Sequence, residues 1–289
     1  MRPSAFLLPA LLAPALLAQA PAPSLGDRVK AERPGVEQLM AELKFTEALQ
    51  KAEALVPAAA PAFDKTDNQT LIRSCVANLD LAAAHRLAAE TADSAGAWEK
   101  ALEHAKAARA LAVEAQAGVK EPFEKTVAWY KASAARAQQV LDENDARIKE
   151  LKGLATRDAG EKQELELAQS VEKEVAEGHK WAKFFQVYLD VTQREAKAYD
   201  PLVKVMEDKL KGEADQVAAY IPGGGVVAKW VDAVISSPAY LEAQGDKAGQ
   251  ARWLHRLAAL DPENKKVQLQ MDILYGRAVA KPVKKGKKG

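Results

Sequence analysis

Two apolar rows at heptad spacing run through the middle of the chain and restrict it to long, paired helices. Val127, Tyr130, Ala134, Ala137, Leu141, Asn144, Ile148 and Leu151 recur at alternating steps of three and four, the period of a helical seam packed on another helix. After RDAG at 157–160, read as a turn, Ala168, Val171, Val175, Gly178, Ala182, Phe185 and Leu189 repeat the alternation. Such rows bury their apolar sides by folding back on one another as an antiparallel hairpin. Pairing about a centre near Ala159 sets Leu151 opposite Leu167 or Ala168, Leu141 opposite Gly178, Ala137 opposite Ala182 and Ala134 opposite Phe185, matching large residues to small. Asn144 falls in this seam, where a polar residue fixes register at some cost in stability. Asp200-Pro201 bends or ends the second helix, which then resumes toward Tyr220. With aromatics at 6% and hydrophobic residues at 48%, the composition is that of a packed all-α protein.

Residues 19–35 read as a linker ending in Pro34 and Gly35, with helical periodicity starting at Val36. Leu39, Met40, Leu43, Leu49, Ala52 and Leu55 form its stripe, and Pro57 closes it. Asp67 or Asn68 caps a helix carrying Leu71, Cys75, Leu79 and Ala82 on toward Ala92. Gly96 breaks that helix, and another starts at once with Trp98, Ala101, Leu102, Ala105, Ala108 and Leu111 on one face. Near the other end, Gly245 and Asp246 make a turn, Ala251, Leu254 and Leu257 line a packed face, and Asp261-Pro262 stops the helix.

These two segments, and more faintly Phe45 with Ala48, resemble the turn and second helix of tetratricopeptide (TPR) repeats. Their spacing departs from the family's period of about 34 residues, so the resemblance implies degenerate repeats flanking an insertion. The expected organisation is a signal peptide at 1–18, a linker at 19–35, TPR-like helices at 36–120, the long hairpin at 121–220, a TPR-like segment at 221–280 and a basic tail at 281–289. The family resemblance implies binding of a protein or peptide partner on a helical surface, without catalysis.

The leader has one arginine, an apolar run from Ala5 to Ala18 and then small and Pro-rich sequence, the pattern of a secretory signal. Broken by Pro9 and Pro14, this run falls short of the roughly 20 residues that span a bilayer, so stable membrane insertion is not expected. Export to a periplasmic or extracellular location, with cleavage after Ala18, is the expectation. Cys75 is the only cysteine, so no intrachain disulfide forms, and its helical context suits a small buried hydrophobe. Net charge of +1 gives no global field toward nucleic acid. Locally, the Lys281–Gly289 tail offers weak contact with an anionic surface.

No cofactor and no metal site is expected. His85, His104, His179 and His255 fall on separate helices without ligand spacing. The glycines of IPGGG at 221–225 lack a phosphate loop's Gly-Lys-Ser/Thr ending and read as a joint. No Gly-x-Ser-x-Gly occurs, and the Glu/Lys-rich stretch from Glu161 to Lys180 reads as a solvated helical face. Two surfaces remain as partner-binding candidates: Arg86, Glu90 and Asp93 on one polar helix face, and the aromatic stripe Trp181, Phe184 and Tyr188. The function these features favour is a non-catalytic exported scaffold or adaptor binding a protein or peptide in the cell envelope. A structural spacer that self-associates through the hairpin is the alternative, and a helical envelope enzyme is less favoured.

Overall fold

The computed structural model describes residues 23–58, 62–220, 227–235 and 246–277. The expected signal peptide, the glycine joint, Gly245 and the basic tail lie outside the described residues. Within them the chain is all-α, without strands. None of the described helices is long and apolar enough to cross a membrane.

Residues 25–35, expected as linker, instead belong to the first helix, α1 (Leu25–Ala41). The Ser24 hydroxyl accepts from the Asp27 amide and starts the helix, which then runs through Pro34. Proline forfeits one ladder hydrogen bond inside a helix, but Val29 and Val36 on either side are buried against Ala84, Leu87 and Ala88, and that packing outweighs the lost bond. Leu43, at φ 60°, turns the chain into α2 (Phe45–Glu53). Then α3 (Asn68–Ser94) begins where Asp67 accepts from the Thr70 amide, as its position predicts. At Gly96, φ +72° lets the chain reverse, the left-handed conformation that glycine adopts without steric penalty.

From there α4 (Trp98–Glu143) runs 46 residues, about 69 Å at 1.5 Å per residue. It crosses the boundary expected at 120/121 without a break, carrying Pro122 inside. Along its first half, Ala101, Ala105, Ala108, Ala112, Ala115 and Val119 pack on Ala92, Ala89, Ala82, Cys75 and Leu71 of α3. Small residues at steps of four and three let the two backbones approach closely. Buried positions then follow at 115, 119, 123 and 127. This succession of four-residue steps is a stutter, and it turns the buried row from the three-helix centre toward a single neighbour.

That neighbour is α6 (Ala159–Ala198), followed by α7 (Asp200–Tyr220). The long antiparallel pair is present as expected, with the break at Tyr199–Asp200 next to Pro201. Its register is one heptad away from the expected one. A Cβ on Gly178 would sit 2.9 Å from the Cβ of Ala134, not against Leu141. Phe185 meets Phe123 at 5.0 Å and Tyr130 at 6.1 Å between ring centroids, not Ala134. The cause is the turn, which spans 154–158 and is therefore centred about three residues earlier than expected. Asp158 is the N-cap of α6, accepting from the Glu161 amide while Glu161 accepts from the Asp158 amide, a capping box. Ala159 and Gly160 are therefore helical. Asn144 leaves the seam as well: it is exposed, donates to the Val140 carbonyl, and separates α4 from α5 (Asp145–Gly153).

The C-terminal helices are α8 (Val227–Val234), α9 (Lys247–Leu260) and α10 (Lys265–Leu274). Trp230, Val231, Leu254, Leu257 and Val267 form their shared core. They dock on the end of the bundle where α3 turns into α4 and reach the turn between α1 and α2, where Phe45 packs with Ala95 and Ala251.

Candidate functional site

The docking of α9 centres on Arg256, which is 1% exposed. Its guanidinium bonds Glu99 at 2.7 and 2.8 Å, Glu213 at 2.7 Å and more closely through a second nitrogen, and the Gly96 carbonyl at 3.3 Å. It also lies 4.7 Å from the ring centre of Trp98. Burial works against its charge, but the hydrogen bonds it donates to Glu213 and then Glu99 prevail and raise its pKa. A Cβ on Gly96 would meet the Arg256 backbone nitrogen at 2.6 Å, so this turn serves both chain reversal and close approach. Beside it, His255 Nε2 stands 2.7 Å from the Tyr275 hydroxyl, which donates to the Leu43 carbonyl at 2.9 Å. With the one hydroxyl hydrogen directed at the Leu43 carbonyl, the Tyr275 oxygen accepts from His255, which in this arrangement carries its hydrogen on Nε2. Each group in this cluster is taken up by holding helices together.

The polar face of α3 is spent in the same way. Arg86 bonds Glu90 at 2.7 Å, Glu90 also receives Arg33 of α1 at 3.1 Å, and Asp93 receives Lys209 of α7 at 2.5 Å. Within the expected ligand-facing trio, Glu90 and Asp93 thus also tie α3 to α1 and α7, while Arg86, about half exposed, pairs within α3. Tyr199, between Arg86 and Glu195, has its hydroxyl pushed up to about 12 by burial and then by Glu195. Cys75 is fully buried and its thiol is pushed up to about 11 by burial, consistent with a core residue.

His85 and His104, on separate helices in sequence, meet across the α3–α4 interface with Nδ1 atoms 3.0 Å apart. One nitrogen donates and the other accepts, so the pair shares a proton. Burial, and then the proximity of His104, lowers the pKa of His85. Pairing residues about the Gly96 turn would have predicted this contact. Among the described residues no group of three or more metal-ligating side chains converges.

The aromatic stripe is divided by the structure. Trp181 and Tyr188 pack partly against the cluster of Leu71, Phe123 and Phe185, whereas Phe184 stands 38% exposed. Trp129, absent from the expected stripe, is 59% exposed and meets Tyr130 edge-on at 4.8 Å. Tyr130 in turn stacks on Trp181 at 6.4 Å, and Trp181 meets Phe184 at 5.5 Å. A continuous chain of rings thus crosses from α4 to α6 and surfaces at both ends. Its spacing was legible at Trp181 and Phe184; Trp129 is reached only through the hairpin register. No protein-family model, curated protein or solved structure matches this chain.

Proposed function

We propose that this chain is a non-catalytic exported scaffold whose long helical hairpin binds a protein partner in the cell envelope. The observation that carries the reading is the ring chain surfacing at Trp129 and Phe184 on a rod whose other prominent polar clusters are engaged in holding helices together. Exposed aromatics on neighbouring helices are the side chains most enriched at the centres of protein interfaces. The leader's signal-like pattern supports the envelope as the place of encounter. The resemblance of its flanking helices to TPR repeats supports binding over catalysis.

A photo-crosslinking residue at position 129 or 184, introduced in the native cell, tests this reading. A discrete adduct with a different protein, formed from both positions and not from position 113 on the far half of α4, is the expected result. Adducts only between two copies of this chain would replace the adaptor with a self-associating spacer. Absence of any discrete adduct would sink both.

A further inference from the structure

Beyond Phe123 the bundle loses its third helix. Up to that level α3 lies against α4 and α6–α7 together; past the start of α3 at Asn68, only α4 and α6 continue. The residues that would face a third helix there can be identified by continuing the rows that face α3. On α4, Ala108, Ala112, Ala115 and Val119 continue at steps of three and four as Pro122, Thr126, Trp129, Ser133, Arg136 and Val140. On α6 and α7, Lys209 pairs with Asp93 of α3, and Leu202 packs against the Ala89 cluster. Counting back by sevens from these gives Glu195, Tyr188, Trp181, Glu174 and Leu167.

Two contacts place the continued rows on the same side of the hairpin. The Ser133 hydroxyl lies 3.5 Å from a Glu174 carboxylate oxygen, and Tyr130 bridges Trp129 to Trp181 by ring contacts. Side chains that would be core in a three-helix bundle are left open here: Trp129 is 59% exposed, Val140 48% and Leu167 66%. Trp129 and Trp181 lie at one end of this groove, Val140 and Leu167 at the other, and Arg136, Ser133 and Glu174 between them.

We propose that this groove takes one amphipathic helix of the partner, lying end-on to α3 and extending the three-helix bundle toward the hairpin tip. The inference rests on the scaffold reading and specifies what the scaffold binds. From Thr126 to Val140 the groove is about 21 Å long, the rise of about 14 helical residues. Two apolar anchors about three turns apart, with polar residues between, would meet its two apolar ends and its polar middle. The strip continues the track on which α3 lies against α4, so an occupant one helix wide, placed end-on to α3, prolongs a packing arrangement the bundle already uses, whereas a second hairpin, two helices wide, would leave one of its helices without a neighbour.

The full chain is titrated into a fluorescein-labelled, alanine-rich helical peptide of about 18 residues that carries leucines at two places about three turns apart on one face, with polar residues between them on that face, and anisotropy is read. Binding below about 100 μM, weakened at least tenfold by Leu167→Glu and by Trp129→Glu and unchanged by Val187→Glu on a different row, is the expected result. Helical circular dichroism of each variant, with Leu167→Ala as the milder second substitution, separates a lost groove from a lost fold. No binding by the wild-type chain, or equal weakening by Val187→Glu, overturns the helical occupant. A concentration-dependent dimer in sedimentation, abolished by Leu167→Glu, overturns it in favour of a second copy. If the peptide fails while Trp129-dependent adducts persist in cells, only the helical occupant falls; if the adducts fail while the peptide binds, the envelope-scaffold reading falls instead.

Discussion

Gly178→Ala tests the hairpin register directly, because two effects of similar size oppose each other at that position. In a helix interior the change gains about 0.8–1.0 kcal/mol of intrinsic propensity. Here the new methyl would stand 2.9 Å from Ala134 Cβ and 3.2 Å from the Tyr130 carbonyl oxygen, and both lie on the facing helix. Forcing an extra methyl into a packed seam costs about 1–3 kcal/mol, so the expected net result is a loss of about 1 kcal/mol. Ala134→Gly removes the nearer obstacle. In that background Gly178→Ala should be neutral or stabilising by several tenths of a kcal/mol, leaving a coupling energy of about 1–2 kcal/mol between positions 134 and 178. Urea unfolding followed by helical circular dichroism on the four proteins of the cycle measures it. Equal effects in the two backgrounds, or rescue by Leu141→Ala in place of Ala134→Gly, would refute the register and with it the placement of Trp129 beside Trp181.

Two further outcomes follow from buried groups. Both side-chain amide atoms of Asn78 are buried without a hydrogen-bond partner among the described residues, so Asn78→Leu should stabilise the chain by about 1–2 kcal/mol in urea melts, and a loss would show that the amide is bonded. His85 and His255 both have lowered pKa values, first through burial, so between the folded and unfolded values the unfolded chain binds more protons. Their contribution to stability is then fully present above the ordinary histidine value of about 6.5 and is lost as pH falls from there toward the lowered folded values. The urea midpoint should decline between about pH 7.5 and pH 5, less steeply in His85→Asn; an unchanged slope would show that His85 titrates normally.

Much of the fold can be read in short-range chemistry. Asp67 begins α3, Gly96 ends the hairpin between α3 and α4, and the two rows of threes and fours define the long pair. What went astray depends on where a turn is placed. The Asp158-x-x-Glu161 capping signature lies in the sequence, and giving it priority over the Gly160 turn signal moves the loop forward and the register by one heptad. Pro34 similarly hides α1, since a proline this deep in a helix is tolerated only for the packing of Val29 and Val36, which is not visible locally. For the candidate sites the missing information is tertiary. Glu90 and Asp93 look like a free polar face until Arg33 and Lys209 arrive from helices distant in sequence. Trp129 sits on a core row of α4 that the stutter around Phe123 has turned away from its neighbour.

The packing gradient along the rod also explains why a partner would be sought at its far end. Near Gly96 the bundle is closed by Arg256 and flanked by α1, α2 and α7, and its buried residues include Leu87, Met206, Leu254 and Phe45. Between Ala128 and Gly178 the buried positions are Ala134, Ala137, Leu151, Ala168 and Gly178 itself. A buried methyl contributes about 0.8 kcal/mol, while fixing each residue's backbone costs about 1–2 kcal/mol of conformational entropy. Ion pairs such as Arg147–Glu164 and Lys152–Glu172 add little, because they are about half exposed. The distal hairpin is thus held mainly by helix propensity and backbone hydrogen bonds, with the apolar side chains of Trp129, Val140 and Leu167 still largely in water. A helix laid along them would bury those side chains and supply the third neighbour that the proximal half already has in α3.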